Sequence, residues 1–156
     1  MNKTTALKMA LELIWWIITA IVVWAVLRPI YKAMYVWPFF WTNVLFVVCL
    51  LTLTRYVFLL RHTLIAKQQV LKIALMLLMF PLGFVLIERI NEFLTFIDEK
   101  TWEPLIGHLP PSQQPAMEDY IWGEMLFFGV GSAIAAPAFA VRMMLSIWRT
   151  KNRGTV

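Results

Sequence analysis

Residues 72–98 read KIALMLLMFPLGFVLIERINEFLTFID, an apolar run that passes without a break into a charged, amphipathic one. The fifteen residues from Ile73 to Ile87 carry no charge. They would make about 22 Å of α-helix, which is short of the roughly 30 Å hydrocarbon core of a bilayer. We therefore predict a membrane-spanning helix that continues past Glu88.

The predicted continuation has one polar face. Its residues follow the i, i+3, i+4, i+7 spacing of a single helix side, and they are Glu88, Asn91, Glu92 and Thr95. Arg89 can reach Glu92 three residues along. Charged groups at the edge of the hydrocarbon are costly unless they are paired, hydrated or turned toward protein. The face is either a polar or ion-handling site, or the place where the helix emerges into headgroups and water.

Composition extends this interpretation to the whole chain. Of 156 residues, 61% are hydrophobic, which leaves too few polar side chains to cover a soluble globule. The apolar runs predict an all-α, polytopic membrane protein, with residues 1–156 in a single domain. Its four transmembrane helices are expected at about 9–27, 38–60, 70–97 and 118–148.

Charge is divided unevenly between the two sides of this arrangement. Ten of the fourteen lysines and arginines fall at the termini or in the second connection, and eight of the nine acids fall on the other side. The positive-inside rule then places both termini in the cytoplasm, with an acidic outer loop between the third and fourth helices. We expect a multi-pass protein of the cytoplasmic (inner) membrane. Because topology accounts for the basic balance, no nucleic-acid partner is needed.

Glu124 lies at the outer start of the fourth apolar run. The seventeen residues from Met125 to Val141 carry no charge, so Glu124 should lie near the depth of Glu88 and Arg89. We expect a contact of Glu124 with Arg89 or Glu88, which would complete a cluster with Asn91 and Glu92.

Two further polar residues lie inside apolar runs. Glu12 can pair with Lys8 one turn away, or with Arg142, which lies at a comparable distance from the inner end of the last span. The second pairing would join the first helix to the fourth. Asn43 is expected to form a hydrogen bond between helices.

The last span carries small residues at helical spacing, namely Gly129, Ala133, Ala136 and Ala140. Small side chains let helices approach closely in lipid. This face could pack within the chain or against another subunit.

The second connection is basic. Arg61, Lys67 and Lys72 are candidates for binding anionic lipids, although charge that only sets topology would look the same.

Residues that carry catalysis or bind cofactors are scarce. The single cysteine, Cys49, lies in an apolar run, and His62 and His108 fall on opposite sides of the predicted membrane. We expect no metal site, no cofactor and no enzymatic activity. The leading hypothesis is a non-catalytic integral subunit of a transport, secretion or energy-coupling complex, whose partners are other membrane subunits. The alternatives are a small oligomeric ion or solute transporter or channel that uses outer carboxylates, and a membrane sensor or regulator.

Overall fold

The structure is a computed structural model that describes residues 3–153, and over this range it is all-helical. The helices are α1 (Lys3–Ala33), α2 (Phe40–Leu59), α3 (Gln69–Lys100), α4 (Glu103–Ile106) and α5 (Gln114–Arg153). Two 3₁₀ turns, Leu60–His62 and Leu64–Lys67, connect α2 to α3. Four helices are long and apolar enough to cross a membrane, namely α1, α2, α3 and α5. The prediction of an all-α chain with four helices of membrane-spanning length is therefore confirmed within the described residues.

Helices α1, α3 and α5 extend beyond the predicted spans, whereas α2 lies within its predicted span of 38–60. The 32 residues of α3 continue through Pro81 and past Glu88 to Lys100, as expected. The first span was expected to end at about residue 27, but α1 continues through Pro29 to Ala33. Ile30 and Met34 are both buried just beyond the proline. Their packing offsets the backbone hydrogen bond that a proline removes.

Helix α5 is the helix on which α2 and α3 pack. It buries a stripe of residues three or four positions apart, which are Ile121, Met125, Gly129, Ser132, Ala136, Phe139, Met143 and Ser146. Along this stripe α5 packs extensively against α3 and α2, whereas α1 lies mainly on α2. Helices α2 and α3 are consecutive but make little direct contact.

Helix α3 contacts α5 through a seam with a seven-residue period. Its buried side chains are Lys72, Met79, Leu86 and Phe93. A strict seven-residue repeat keeps one narrow stripe of a helix against its neighbour, as in a coiled coil. The seam therefore decides which side of α3 faces the bundle.

The segment between α3 and α5 folds over one end of the bundle, which we call the acidic end. Leu105 and Ile106 of α4 are buried there. The ring of Trp102 lies 6.3 Å from the rings of both Phe93 and Trp122. The opposite end is called the basic end. It is formed by the start of α1, the two 3₁₀ turns, the start of α3 and the end of α5.

Candidate functional site

The predicted polar face of α3 points away from the bundle. All four of its side chains are exposed, namely Glu88, Asn91, Glu92 and Thr95. Together with Phe84 and Ile87 they line an open groove on the side of α3 that faces away from the other helices. Successive helix positions are rotated by about 100°. Glu88 follows the buried Leu86 by two positions and therefore points away from α5, while Arg89 lies at the flank of the α3 seam and is exposed.

The predicted contact of Glu124 with Glu88 or Arg89 is wrong, because neither side chain points toward Glu124. Arg89 instead pairs along its own helix with Glu92, with 2.6 Å between Nη1 and Oε2, and both side chains are 44% exposed. The pairing three residues apart was expected from the spacing. Glu124 faces α2.

Glu124 and Asn43 form a buried polar pair between α5 and α2. Asn43 is 0% exposed and Glu124 8%. The Asn43 Nδ2 donates a hydrogen bond to Glu124 Oε1 at 2.5 Å. The helix-to-helix hydrogen bond predicted for Asn43 is therefore present, and its partner is Glu124. The sequence does hold a signal for this pairing, because Asn43 interrupts the apolar run of α2 and Glu124 directly precedes the charge-free run of α5.

Each member of the pair has a second acceptor without a donor. The Oδ1 of Asn43 and the Oε2 of Glu124 are both buried and have no hydrogen-bond partner among the described residues. Buried acceptors are costly when they are left unpaired. The pair can therefore accept a proton, a water molecule or a cation. No group of three or more histidine, cysteine or acidic residues suited to a metal occurs within the described part of the chain.

The predicted inner pair of Glu12 and Arg142 is also wrong. Glu12 Oε2 lies 2.7 Å from Nη1 of Arg55 on α2, and these side chains are 15% and 5% exposed. The Arg142 Nε donates instead to the carbonyl of Val57 at 3.0 Å. The physical reason is that α1 packs mainly on α2, so α2 supplies the nearer cation. The Arg55 guanidinium also lies 5.3 Å from the Trp15 ring.

Lys72, which was predicted as a candidate for binding anionic lipids, is buried at the basic end of the bundle. It is 0% exposed, and its Nζ donates to Ser146 Oγ at 3.0 Å. It occupies a position of the α3 seam, and the seven-residue spacing to Met79, Leu86 and Phe93 is the sequence signal for its burial. Lys72 therefore cannot meet a lipid headgroup in this arrangement. Arg61 and Lys67 are exposed, and lipid binding by them stays a prediction.

The small residues of α5 pack inside the chain. An added Cβ at Gly129 would lie 2.9 Å from Phe46 of α2 and 3.1 Å from Ile90 of α3, so three helices meet at this glycine. Ala136 is fully buried in the same stripe. Ala133 and Ala140 lie at its edge, where they line a shallow groove with α3.

Comparison with protein-family models, with curated proteins and with solved structures finds no match for this chain.

Proposed function

We propose that this protein is a non-catalytic integral subunit of a larger assembly in the cytoplasmic membrane, of the transport, secretion or energy-coupling kind. The exposed polar face of α3 is the observation that carries the proposal. Glu88, Asn91, Glu92 and Thr95 are exposed on the side of α3 that faces away from the mainly apolar interior of the bundle.

The surroundings of this face support a protein contact. Phe84 is 75% exposed and Ile87 52% exposed directly beside the carboxylates. Polar side chains next to exposed apolar ones at the edge of the hydrocarbon are stabilised when another protein covers them. A neighbouring subunit that presents donors or cations would satisfy Glu88 and Asn91, while its apolar side chains would pack on Phe84 and Ile87.

The division of charge supports the proposed orientation. The end of the bundle with the two 3₁₀ turns gathers Lys8, Arg61, Lys67 and Arg149, while α4 and the end of α3 carry most of the acids. We accordingly propose that both termini are cytoplasmic and that α4 lies outside.

Photo-cross-linking in native membranes tests the subunit proposal. A photoreactive amino acid at Asn91 should give one discrete protein adduct. The matched control is Leu77, which lies on the same helix, is 57% exposed and belongs to the apolar run. The proposal fails if position 91 gives no protein adduct, or if positions 77 and 91 give the same adducts. Purification in mild detergent should retain the protein captured from position 91.

A small oligomeric transporter or channel is the second candidate, and the buried Asn43–Glu124 pair favours it. Asn43 Oδ1 and Glu124 Oε2 are buried acceptors without a donor, and polar groups of this kind inside membrane proteins carry protons or bind cations. The buried side chains within one turn of the pair on α2 and α5 are apolar, including Phe46, Ile121 and Met125. The monomer therefore offers no continuous polar path among the described residues, and this candidate requires more than one copy.

Flux measurements separate the two candidates. Liposomes containing the purified protein should show a proton or cation flux that Glu124→Gln abolishes and Glu88→Gln leaves intact, if the transport proposal holds. A flux equal to that of empty liposomes would remove this candidate and leave the subunit proposal standing.

A further inference from the structure

A long groove runs between α1 and α2 in the half of the bundle nearer the acidic end, and we call it the α1–α2 groove. Its volume is about 630 Å³, which is within the usual range for a ligand site. Its walls are mostly apolar and aromatic, and they include Trp16, Val23, Trp24, Val44 and Val48. Helix α1 packs on α2 less extensively than α5 does, which leaves the groove open between them.

Two cations stand at one end of the groove. Arg28 and Lys32 lie one turn apart on α1, both are exposed, and both line the groove. The Arg28 guanidinium lies 4.9 Å from the ring centroid of Trp24, which keeps it over the groove wall. Neither cation forms an ion pair with any of the described residues. The groove therefore combines an apolar trough with positive charge at its mouth.

The length of the α1–α2 groove is close to the hydrocarbon thickness of one leaflet of a bilayer. Twelve positions separate Trp16 from Arg28, which is about 18 Å of helix. Half of a typical hydrocarbon core is about 15 Å. A phosphate at the level of Arg28 and Lys32 would thus leave an acyl chain lying along the groove down to Trp16.

We propose that the α1–α2 groove binds an anionic glycerophospholipid, with its phosphate at Arg28 and Lys32 and one acyl chain between α1 and α2. Basic side chains at the headgroup level select anionic lipids. The bulky Trp16 and Trp24 disfavour a partner helix, because close helix packing in lipid depends on small residues. The proposal does not depend on the proposed function.

Lipid retention measured by native mass spectrometry tests the charge component. The protein is reconstituted with equal amounts of phosphatidylglycerol and phosphatidylcholine and then extracted in mild detergent. The wild type should retain phosphatidylglycerol preferentially. The double variant Arg28→Gln, Lys32→Gln should lose this preference, by about fivefold for each cation removed. Arg89→Gln removes a positive charge outside the groove, and this control variant should retain the preference. An unchanged preference in the double variant overturns the proposal.

A second pair of variants tests the apolar component without altering charge. Ala20→Trp fills the groove, whereas Ala25→Trp places the same side chain on an exposed position of α1 outside it. Only Ala20→Trp should lower the retention of phosphatidylglycerol. Equal retention by both variants overturns the proposal, as does displacement of the lipid by excess inorganic phosphate, because an acyl chain would then be unnecessary. Unfolding temperatures measured for every variant show that the fold is kept.

Discussion

Asn43 of α2 and Glu124 of α5 are hydrogen-bonded to each other across 81 positions of sequence, in a part of the bundle that is otherwise packed with apolar side chains. The bond uses one atom of each residue and leaves the Oδ1 of Asn43 and the Oε2 of Glu124 without donors. Two substitutions with opposite expected results follow from this arrangement.

Asn43→Leu should lower the free energy of unfolding by about 1–3 kcal/mol, because it leaves the Glu124 side chain buried without a donor. Glu124→Gln should be neutral or stabilising, because the new Nε2 can donate to Asn43 Oδ1 while Oε1 keeps its bond. Reversible unfolding in mixed detergent micelles measures both values. A stability loss of similar size in the two variants would contradict the arrangement.

The two ion pairs should differ in their contribution to stability. Glu12→Leu leaves the guanidinium of Arg55 buried without its carboxylate, and we expect a loss of about 3 kcal/mol. Glu92→Leu removes the partner of Arg89 from an exposed pair, and its cost should be below about 1 kcal/mol. The same unfolding assay compares the two. Equal effects would show that Glu12 does not hold Arg55 in the folded protein.

Gly129→Ala should destabilise the bundle by about 1–3 kcal/mol, because the added methyl group would lie 2.9 Å from Phe46 and would force the three helices apart. Gly123→Ala on the same helix is the control, since nothing lies within 4 Å of its added Cβ. It should be neutral or slightly stabilising, as alanine is the better helix former. Thermal unfolding measures both, and a neutral Gly129→Ala would refute the close approach.

Reporter fusions test the proposed orientation. A periplasmic phosphatase inserted at Pro110 should be active, and a fluorescent protein that matures only in the cytoplasm should fluoresce when it is inserted at Gln68. The expectation follows from the excess of lysine and arginine in the second connection and at the termini. The reverse pattern would overturn the orientation, and the proposal of an outer partner for α3 would then need a cytoplasmic one.

The sequence was sufficient to predict four spanning helices, because each apolar run exceeds what a buried helix of a soluble protein needs. It also identified Asn43 as a residue that requires a partner. Those inferences depend on the composition of single segments.

The predicted pairings of Arg89 with Glu124 and of Glu12 with Arg142 were wrong. They depend on which face each helix turns inward and on which helices are neighbours. The contact predicted between Arg89 and Glu124 assumed that α3 turns its polar face inward, whereas the seam through Leu86 and Phe93 turns it outward. Glu12 was assigned to Arg142 by depth alone. Depth does not reveal that α1 lies on α2, where Arg55 is the nearer cation.

The position of α5 has a consequence for biogenesis. A ribosome releases α2 and α3 before α5, and these two helices make little contact with each other. Asn43 and Lys72 therefore lack the partners that they have in the folded chain until translation delivers the helix that carries Glu124 and Ser146. The packing of α2 and α3 into one bundle is accordingly completed only after α5 has been made, and a chain that stops before residue 114 would leave both polar side chains without these partners.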